Sequence, residues 1–374
     1  MTIFKYFFYT VVFILSLGQL SVIETVGEVK VYLFDIVMAL YVYFGFIYLF
    51  GVKKKMRLPK SFVPFLLFVL IMIISGVANL HKYESSQFVV IGFYGVRFLL
   101  YVFGALITSN IVDNQDILKA FVFSGLFVVL VGFLQLLVLP DFGVLDPLSG
   151  WDSHKNRLAS TFFDPNFVGS YLVLCFVIAF FNNKNKYFLI KLILLIGIVL
   201  TFSRSAWGML AVVVLIFGLI RNGKILLVAG ILSFSAYFAV PRIQTRLVGI
   251  TDPSDSASLR LVSWKNGWEI AKDNLLLGVG FNAIKYVQQE YGYLTPDTVT
   301  NHNASGADSS LLVVLITTGI SGLFMFLFGM LWPIVRRKNL FLALIIIPLI
   351  LESQFINSLF YPQIMFLWLS MLDV

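Results

Sequence analysis

Apolar residues in this chain gather into long, nearly unbroken runs, where the amphipathic helices of a soluble protein would show narrow stripes. The runs lie near residues 6–23, 31–51, 61–78, 88–108, 117–139, 166–182, 187–202, 206–220, 225–241, 311–335, 340–356 and 359–372. A hydrocarbon core about 30 Å thick takes about 20 apolar residues per helical crossing, so the runs predict about twelve transmembrane helices. The pairs 187–202 with 206–220 and 340–356 with 359–372 are short, and each also fits a re-entrant hairpin. The first run follows Lys5, lacks a small-x-small cleavage site and is followed by further spans, so it reads as a retained first helix. The expected fold class is an all-α polytopic integral membrane protein, one domain over residues 1–374.

Between the runs, polar residues divide by charge type. With the N-terminus placed in the cytoplasm, the inner connections carry Lys53, Lys54, Lys55 and Arg57, then Lys184 and Lys186, then Arg221 and Lys224, then Arg336, Arg337 and Lys338. All the compact basic clusters then fall on one side, as the positive-inside rule requires. The other side carries residues 24–30, 79–87, 140–165, the tight link 203–205 and one large polar loop, 242–310. A loop that long is functional or partly helical. Leu261, Trp264, Trp268 and Ala271 have the spacing of one helix face, which predicts a helix lying against the membrane surface.

Composition agrees: 59% of the 374 residues are hydrophobic and 12% are charged, about half the charged share of a soluble protein. The net charge of +8 follows from the scattered topology clusters, so it gives no argument for nucleic-acid binding. The single cysteine, Cys175, lies in an apolar run and excludes an intramolecular disulfide.

The outer side holds Arg157, Arg204, Arg242, Arg246 and Arg260, whereas the inner clusters are mostly lysine. A guanidinium pairs in bidentate fashion with phosphate or carboxylate, and a merely solvated surface has no such preference for arginine. An anionic ligand is therefore expected outside, with lipid headgroups as the competing explanation for any single arginine. Arg204, in Thr201-Phe202-Ser203-Arg204-Ser205, is confined between two helix ends, where a charge needs a partner. Arg157 precedes Asp164-Pro165-Asn166, a turn and helix start in which Asp164 and Asn166 read as caps. His81, His154 and His302 have no metal-ligand spacing, so no metal site is expected. His302 stands in Asn301-His302-Asn303 shortly before Asp308-Ser309-Ser310, a capping sequence ahead of the next span. Gly278-Val279-Gly280 and Gly319-Ile320-Ser321-Gly322 follow no strand, so nucleotide binding is not indicated, and the second reads as small residues for close helix packing. Arg97 and Glu352 interrupt apolar runs and must face the bundle interior or water.

In order, Arg157 to Asn166 before a helix, Ser203-Arg204-Ser205, Ser258-Leu259-Arg260 with Trp264, Gly278-Val279-Gly280, His302-Asn303 and Gly319-Ile320-Ser321-Gly322 resemble the O-antigen ligase/polymerase superfamily over roughly residues 150–335. The resemblance implies a GT-C-like helical fold in a bacterial inner membrane, with the active site facing the periplasm. It implies a metal-independent glycosyltransferase without cofactors, acting on undecaprenyl-diphosphate-linked glycans, surrounded by membrane lipids and, for a polymerase, accompanied by a chain-length regulator. Carried over, Arg204 and Arg260 would bind the lipid diphosphate, with Arg157, Arg242 and Arg246 as additions, and His302 would be the catalytic histidine. Ala304 to Asp308 lengthen the interval between His-Asn and the glycine pair beyond the ligase pattern, which favours a Wzy-type polymerase. The alternatives are an O-antigen ligase, transfer to protein, and a flippase or transporter of lipid-linked glycans.

Overall fold

A computed structural model describes residues 2–26, 29–145, 154–182, 186–248, 256–294 and 306–374. Helices form almost all of it. The first group comprises α1 (Thr2–Ser16), α2 (Leu33–Ile47), α3 (Val63–Ala78), α4 (Ser85–Ile111) and α5 (Asn114–Val138). Next come α6 (Pro165–Asn182), α7 (Phe188–Leu200), α8 (Arg204–Ile220), α9 (Lys224–Ala239) and α10 (Pro241–Val248). The last are α11 (Ser256–Asp273), α12 (Ile284–Glu290), α13 (Ser310–Arg337), α14 (Leu340–Glu352) and α15 (Pro362–Met371). Between α1 and α2 runs a hairpin of β1 (Val22–Val26) and β2 (Val29–Tyr32), antiparallel with Val26 opposite Val29. The first apolar run predicts a helix through to residue 23, but α1 ends at Ser16. Gly18, at φ +53°, turns the chain instead, and a Cβ there would strike the Thr161 carbonyl.

Among the described residues, five helical stretches, Leu33–Val52, Ser85–Ile111, Asn114–Val138, Pro165–Asn182 and Ser310–Arg337, are long and apolar enough to cross a bilayer. A sixth is reached if α9 and α10, bent by 98° at their junction, are counted as one. Length and composition do not confirm the expected figure of about twelve, but α1, α3, α7, α8 and α14 are shorter apolar helices at the expected runs. At 1.5 Å per residue a helix of 13 residues rises about 20 Å, less than the hydrocarbon thickness. The molecule is an all-helical membrane protein apart from its small hairpin.

Buried partners sort the loops into two ends. At one end Lys5 pairs with Asp116 at 2.9 Å, Lys53 Nζ donates to the Asn110 carbonyl at 3.1 Å, and Asp373 accepts from both Arg57 and Arg337. This gathers the lysine and arginine clusters around residues 53–57 and 336–338 at a common end. The opposite end holds the start of α6, the α7–α8 link and the end of α14, joined by the contacts described below. Between the ends, α15 is apolar all round and buried along its whole length, so it forms the bundle axis. Cys175 is buried on α6, where the absence of a Cβ at Gly125 lets α5 approach it.

Arg97 has a partner of its own. Its Nε and NH2 donate to the two oxygens of Asp35 at 3.0 and 2.7 Å, Tyr101 donates to the same carboxylate at 2.6 Å, and the Phe93 ring lies 4.9 Å from the guanidinium. A fork-to-fork pair with an added hydroxyl meets the requirement for a buried charge.

The two glycine motifs meet each other. Gly319 interrupts α13 with φ 67° and ψ −169°, a conformation essentially restricted to glycine, so it breaks the helix, whereas Gly322 is buried beside Phe68 of α3. The freed groups are taken by the segment 275–280: Val279 N donates to Ile316 O at 2.9 Å, Gly280 N to Thr317 O at 3.0 Å, and Ile320 N to Leu275 O at 2.8 Å. Ser75 Oγ also donates to Thr317 O at 2.8 Å and Asn79 Nδ2 to Gly278 O at 3.0 Å, so the break lies level with the end of α3. The first part of α13 then supports α11. Gly267 of α11 sits against Leu312 and Ile316, and Ile270 and Ala271 are buried. On α11, Trp264 and Ala271 turn inward, and Leu261 and Trp268 are 63% and 49% exposed.

Candidate active site

The loop before α6 is fixed before it presents any side chain. Leu158 N donates to Leu200 O at 2.9 Å, and Gln135 Oε1 accepts from Ala159 N and Ser160 N at 3.0 and 3.3 Å. Ser160 Oγ donates to Val128 O at 2.6 Å, and Thr161 Oγ1 donates to Ser16 O at 2.7 Å. Four non-glycine residues of this loop and the α7–α8 link are left-handed: Asn156, Ser160, Phe163 and Phe202, with φ of 50°, 48°, 59° and 47°. Bulky residues seldom hold this conformation, and such strain concentrates at functional sites.

On this frame Arg157 reaches the α7–α8 link. Its Nε donates to Thr201 O at 2.9 Å and its NH2 to Asn166 Oδ1 at 3.1 Å. Asn166 Oδ1 also accepts from Ser203 Oγ at 2.8 Å, so Asn166 joins the two loops and is not a helix cap. Asp164 does cap, accepting from Asn166 N at 2.6 Å. Ser203 caps α8, its Oγ accepting from Ala206 N at 3.4 Å, which sets Arg204 at the first helical position.

The bend after α9 carries α10 across this end. Arg242 donates to the carbonyls of Asn156 and Lys155 at 2.6 and 2.5 Å and stacks 4.2 Å over the Phe202 ring. Arg204 NH1 donates to Arg246 O at 3.4 Å. Burial first, then Arg246, Arg242 and Arg204, push the Arg157 pKa down, against the opposing pull of Asp164. A guanidinium keeps its proton through such a push. The cluster is therefore a pool of mutually repelling positive charge, which an entering anion would relieve.

Arg260 lies on α11. Its charge acts on Asp308, whose carboxyl is pushed up by burial and held back by Arg260. The Asp308 turn is joined to α11 by Trp264 Nε1 donating to Asp308 O at 3.1 Å and by Asp308 N donating to Ser263 Oγ at 3.1 Å. The cap of α13 is Ser309, which accepts from Leu312 N at 3.3 Å. His302 lies outside the described residues. No group of three or more His, Cys, Asp or Glu placed to hold a metal ion occurs among the described residues.

Of the residues singled out from the sequence, Arg157, Arg204, Arg242 and Arg246 come together, and Arg260 stands on α11 with its charge acting on Asp308. Asn166 and Glu352 were not placed in the site by sequence. For Glu352 a signal existed, because a helix running from the 336–338 cluster carries it to the opposite end of the bundle, beside Ser170 of α6.

None of the curated proteins compared matches the chain. A family model described as O-antigen ligase matches residues 189–327, a stretch that includes Arg204, Arg242, Arg246, Arg260 and His302 and leaves out Arg157 and Glu352. Through this segment the chain is similar to the O-antigen ligase/polymerase superfamily.

Proposed function

We propose that the protein is a polymerase that transfers a glycan from undecaprenyl diphosphate onto a second lipid-linked repeat unit. The observation that carries this reading is the gathering of Arg157, Arg204, Arg242 and Arg246 at one end of the bundle, within and beside the segment matched by the O-antigen ligase model. In the transfer, the bond from the sugar anomeric carbon to the diphosphate oxygen breaks and a bond to the acceptor hydroxyl oxygen forms. The departing diphosphate takes up negative charge, which fixed guanidinium donors stabilise without reorganising at the moment of reaction. Arg204 and Arg260 hold the diphosphate, with Arg157, Arg242 and Arg246 completing the positive wall. His302 takes the acceptor hydroxyl proton or positions it. The donor arrives with a good leaving group, so the reaction asks for no cofactor.

Orientation follows from charge. The end holding Lys53, Arg57 and Arg337 faces the cytoplasm of a bacterial inner membrane, which turns the arginine site to the periplasm. A periplasmic site meets lipid-linked units after they have crossed the membrane, and a chain-length regulator would act on the same face.

Polymerase is favoured over ligase by the longer interval from His302 through Asp308 to Gly319. A glycan gel of cells lacking the gene separates the two: a polymerase deletion leaves lipopolysaccharide with a single repeat unit, and a ligase deletion leaves none. Restoring the wild-type gene returns the ladder, whereas His302→Ala, expressed at the same level, leaves a single repeat. A full ladder from His302→Ala removes the catalytic role of that residue.

A further inference from the structure

Asp308 stands in the turn that leads into α13, and both of its backbone groups are fastened to α11. Trp264 Nε1 donates to its carbonyl at 3.1 Å, and its N–H donates to Ser263 Oγ at 3.1 Å. Ser263 and Trp264 follow Arg260 by three and four residues, one turn along the same helix face. The turn is therefore docked on the face of α11 that carries Arg260. On its other side the chain is held by the α14–α15 link: Ser310 N donates to Ser353 O at 2.7 Å, Ser309 Oγ to Gln354 Oε1 at 3.0 Å and Ser310 Oγ to Asn357 Oδ1 at 3.0 Å. Glu352, next to Ser353, accepts from Ser170 Oγ of α6, which also donates to the Asn166 carbonyl. Arg157 donates to the Asn166 side chain. A short path of hydrogen bonds and adjacent residues thus joins the Asp308 turn to the arginine wall.

The Asp308 carboxylate takes no part in this anchoring. It accepts no hydrogen bond among the described residues, and the capping of α13 expected from Asp308-Ser309-Ser310 is done by Ser309. A half-buried carboxylate without a protein partner calls for an explanation, and neither the fold nor the cap supplies one. What remains is a fixed backbone that presents two open acceptor oxygens, as a proton acceptor requires. We propose that Asp308 is the catalytic base of the glycan transfer: a carboxylate oxygen takes the acceptor hydroxyl proton while the hydroxyl oxygen bonds to the anomeric carbon and the bond from that carbon to the diphosphate oxygen breaks. The electron pair of the broken bond leaves with the diphosphate, and Asp308 afterwards gives the proton to water. Arginines then serve the leaving group and a carboxylate serves the nucleophile, with His302 orienting the hydroxyl. Burial raises the Asp308 pKa, which makes its carboxylate a stronger base. This assignment rests on the proposed transfer reaction.

The test uses purified full-length protein and lipid-linked repeat units, with kcat, KM and the unfolding temperature measured for each variant. Asp308→Asn keeps the backbone contacts and the shape of the side chain and removes the base. It is expected to lower kcat about 100-fold or more, the contribution of a positioned general base. KM and the unfolding temperature stay near wild type, because the arginines and the fold are untouched. Asp308→Ala is expected to lose as much and to recover part of its rate in added formate, a carboxylate small enough for the emptied place, whereas wild-type protein gains nothing from formate. A purely structural aspartate would show no such recovery. Wild-type kcat in folded Asp308→Asn would overturn the proposal, and so would an Asp308→Ala rate that formate leaves unchanged. Should Asp308→Asn not fold, Asp308→Ala carries the test by the formate reading. A wild-type protein that transfers no glycan refutes the transfer reaction itself, and the base role falls with it; if wild-type and Asp308→Asn transfer glycan equally fast, only the base role falls.

Discussion

Asn166 shows what a single side chain does at this site. One oxygen accepts from both Arg157 and Ser203, so the loop before α6 and the link before α8 share a fixed point. Asn166→Ala leaves the Arg157 fork half-occupied and is expected to destabilise by about 1–3 kcal/mol, the penalty for a buried donor without its acceptor. The cap variant Asp164→Ala should cost about 1 kcal/mol. Thermal unfolding in detergent checks the ranking. The Arg97–Asp35 pair gives a second prediction at this scale: Asp35→Asn leaves a buried guanidinium uncompensated and should cost about 3–5 kcal/mol, with Asp35→Asn/Arg97→Gln recovering part of it. From the sequence, the arginines were legible because arginine in place of lysine points to anion recognition. Asn166 was not, because a short polar residue at a helix start fits a cap equally well, and only the packing of two distant loops decides between them.

Among elements, α13 departs most from its sequence pattern. The apolar run 311–335 reads as one continuous span, yet Gly319 breaks it and residues 275–280 fill the gap with backbone hydrogen bonds. Gly319→Ala must adopt a conformation costing about 1–3 kcal/mol for any side chain, and its Cβ would strike the Leu276 carbonyl. The expected result is a lower unfolding temperature and faster proteolysis of the 256–294 region; wild-type values on both would show that the break is dispensable. Helix positions were legible because apolar runs mark them, whereas the break was not, since a glycine inside a span equally suits close helix packing. The buried side of α11 was not legible from spacing alone. Spacing identifies a stripe, but Gly267 admits Leu312 and Ile316 and so rotates the contact toward Ile270 and Ala271, leaving Trp268 exposed.

Across the whole molecule, the separation into two ends was legible from the basic clusters, and it survives although the count of twelve spans does not follow from helix length. Hydropathy locates apolar segments but does not tell a lipid-facing span from a helix such as α15, which is buried on every side. The proposed orientation is tested in a Cys175→Ser background carrying single cysteines. A cysteine at Lys155 or Lys265, both exposed at the arginine end, should react with a membrane-impermeant thiol reagent from the periplasm, and one at Lys54 should not. The reverse pattern would invert the molecule. The central claim, that the arginine end performs glycan transfer from a lipid diphosphate, is tested most directly by coupling with purified protein in lipid nanodiscs. The substrates are undecaprenyl-diphosphate-linked repeat units, with no ion gradient, and the products are resolved by length. Wild-type protein is predicted to form a ladder of glycans, and Arg204→Ala, folded to the same unfolding temperature, to lose most of it. No ladder from the wild-type protein, or an undiminished ladder from Arg204→Ala, would contradict the account.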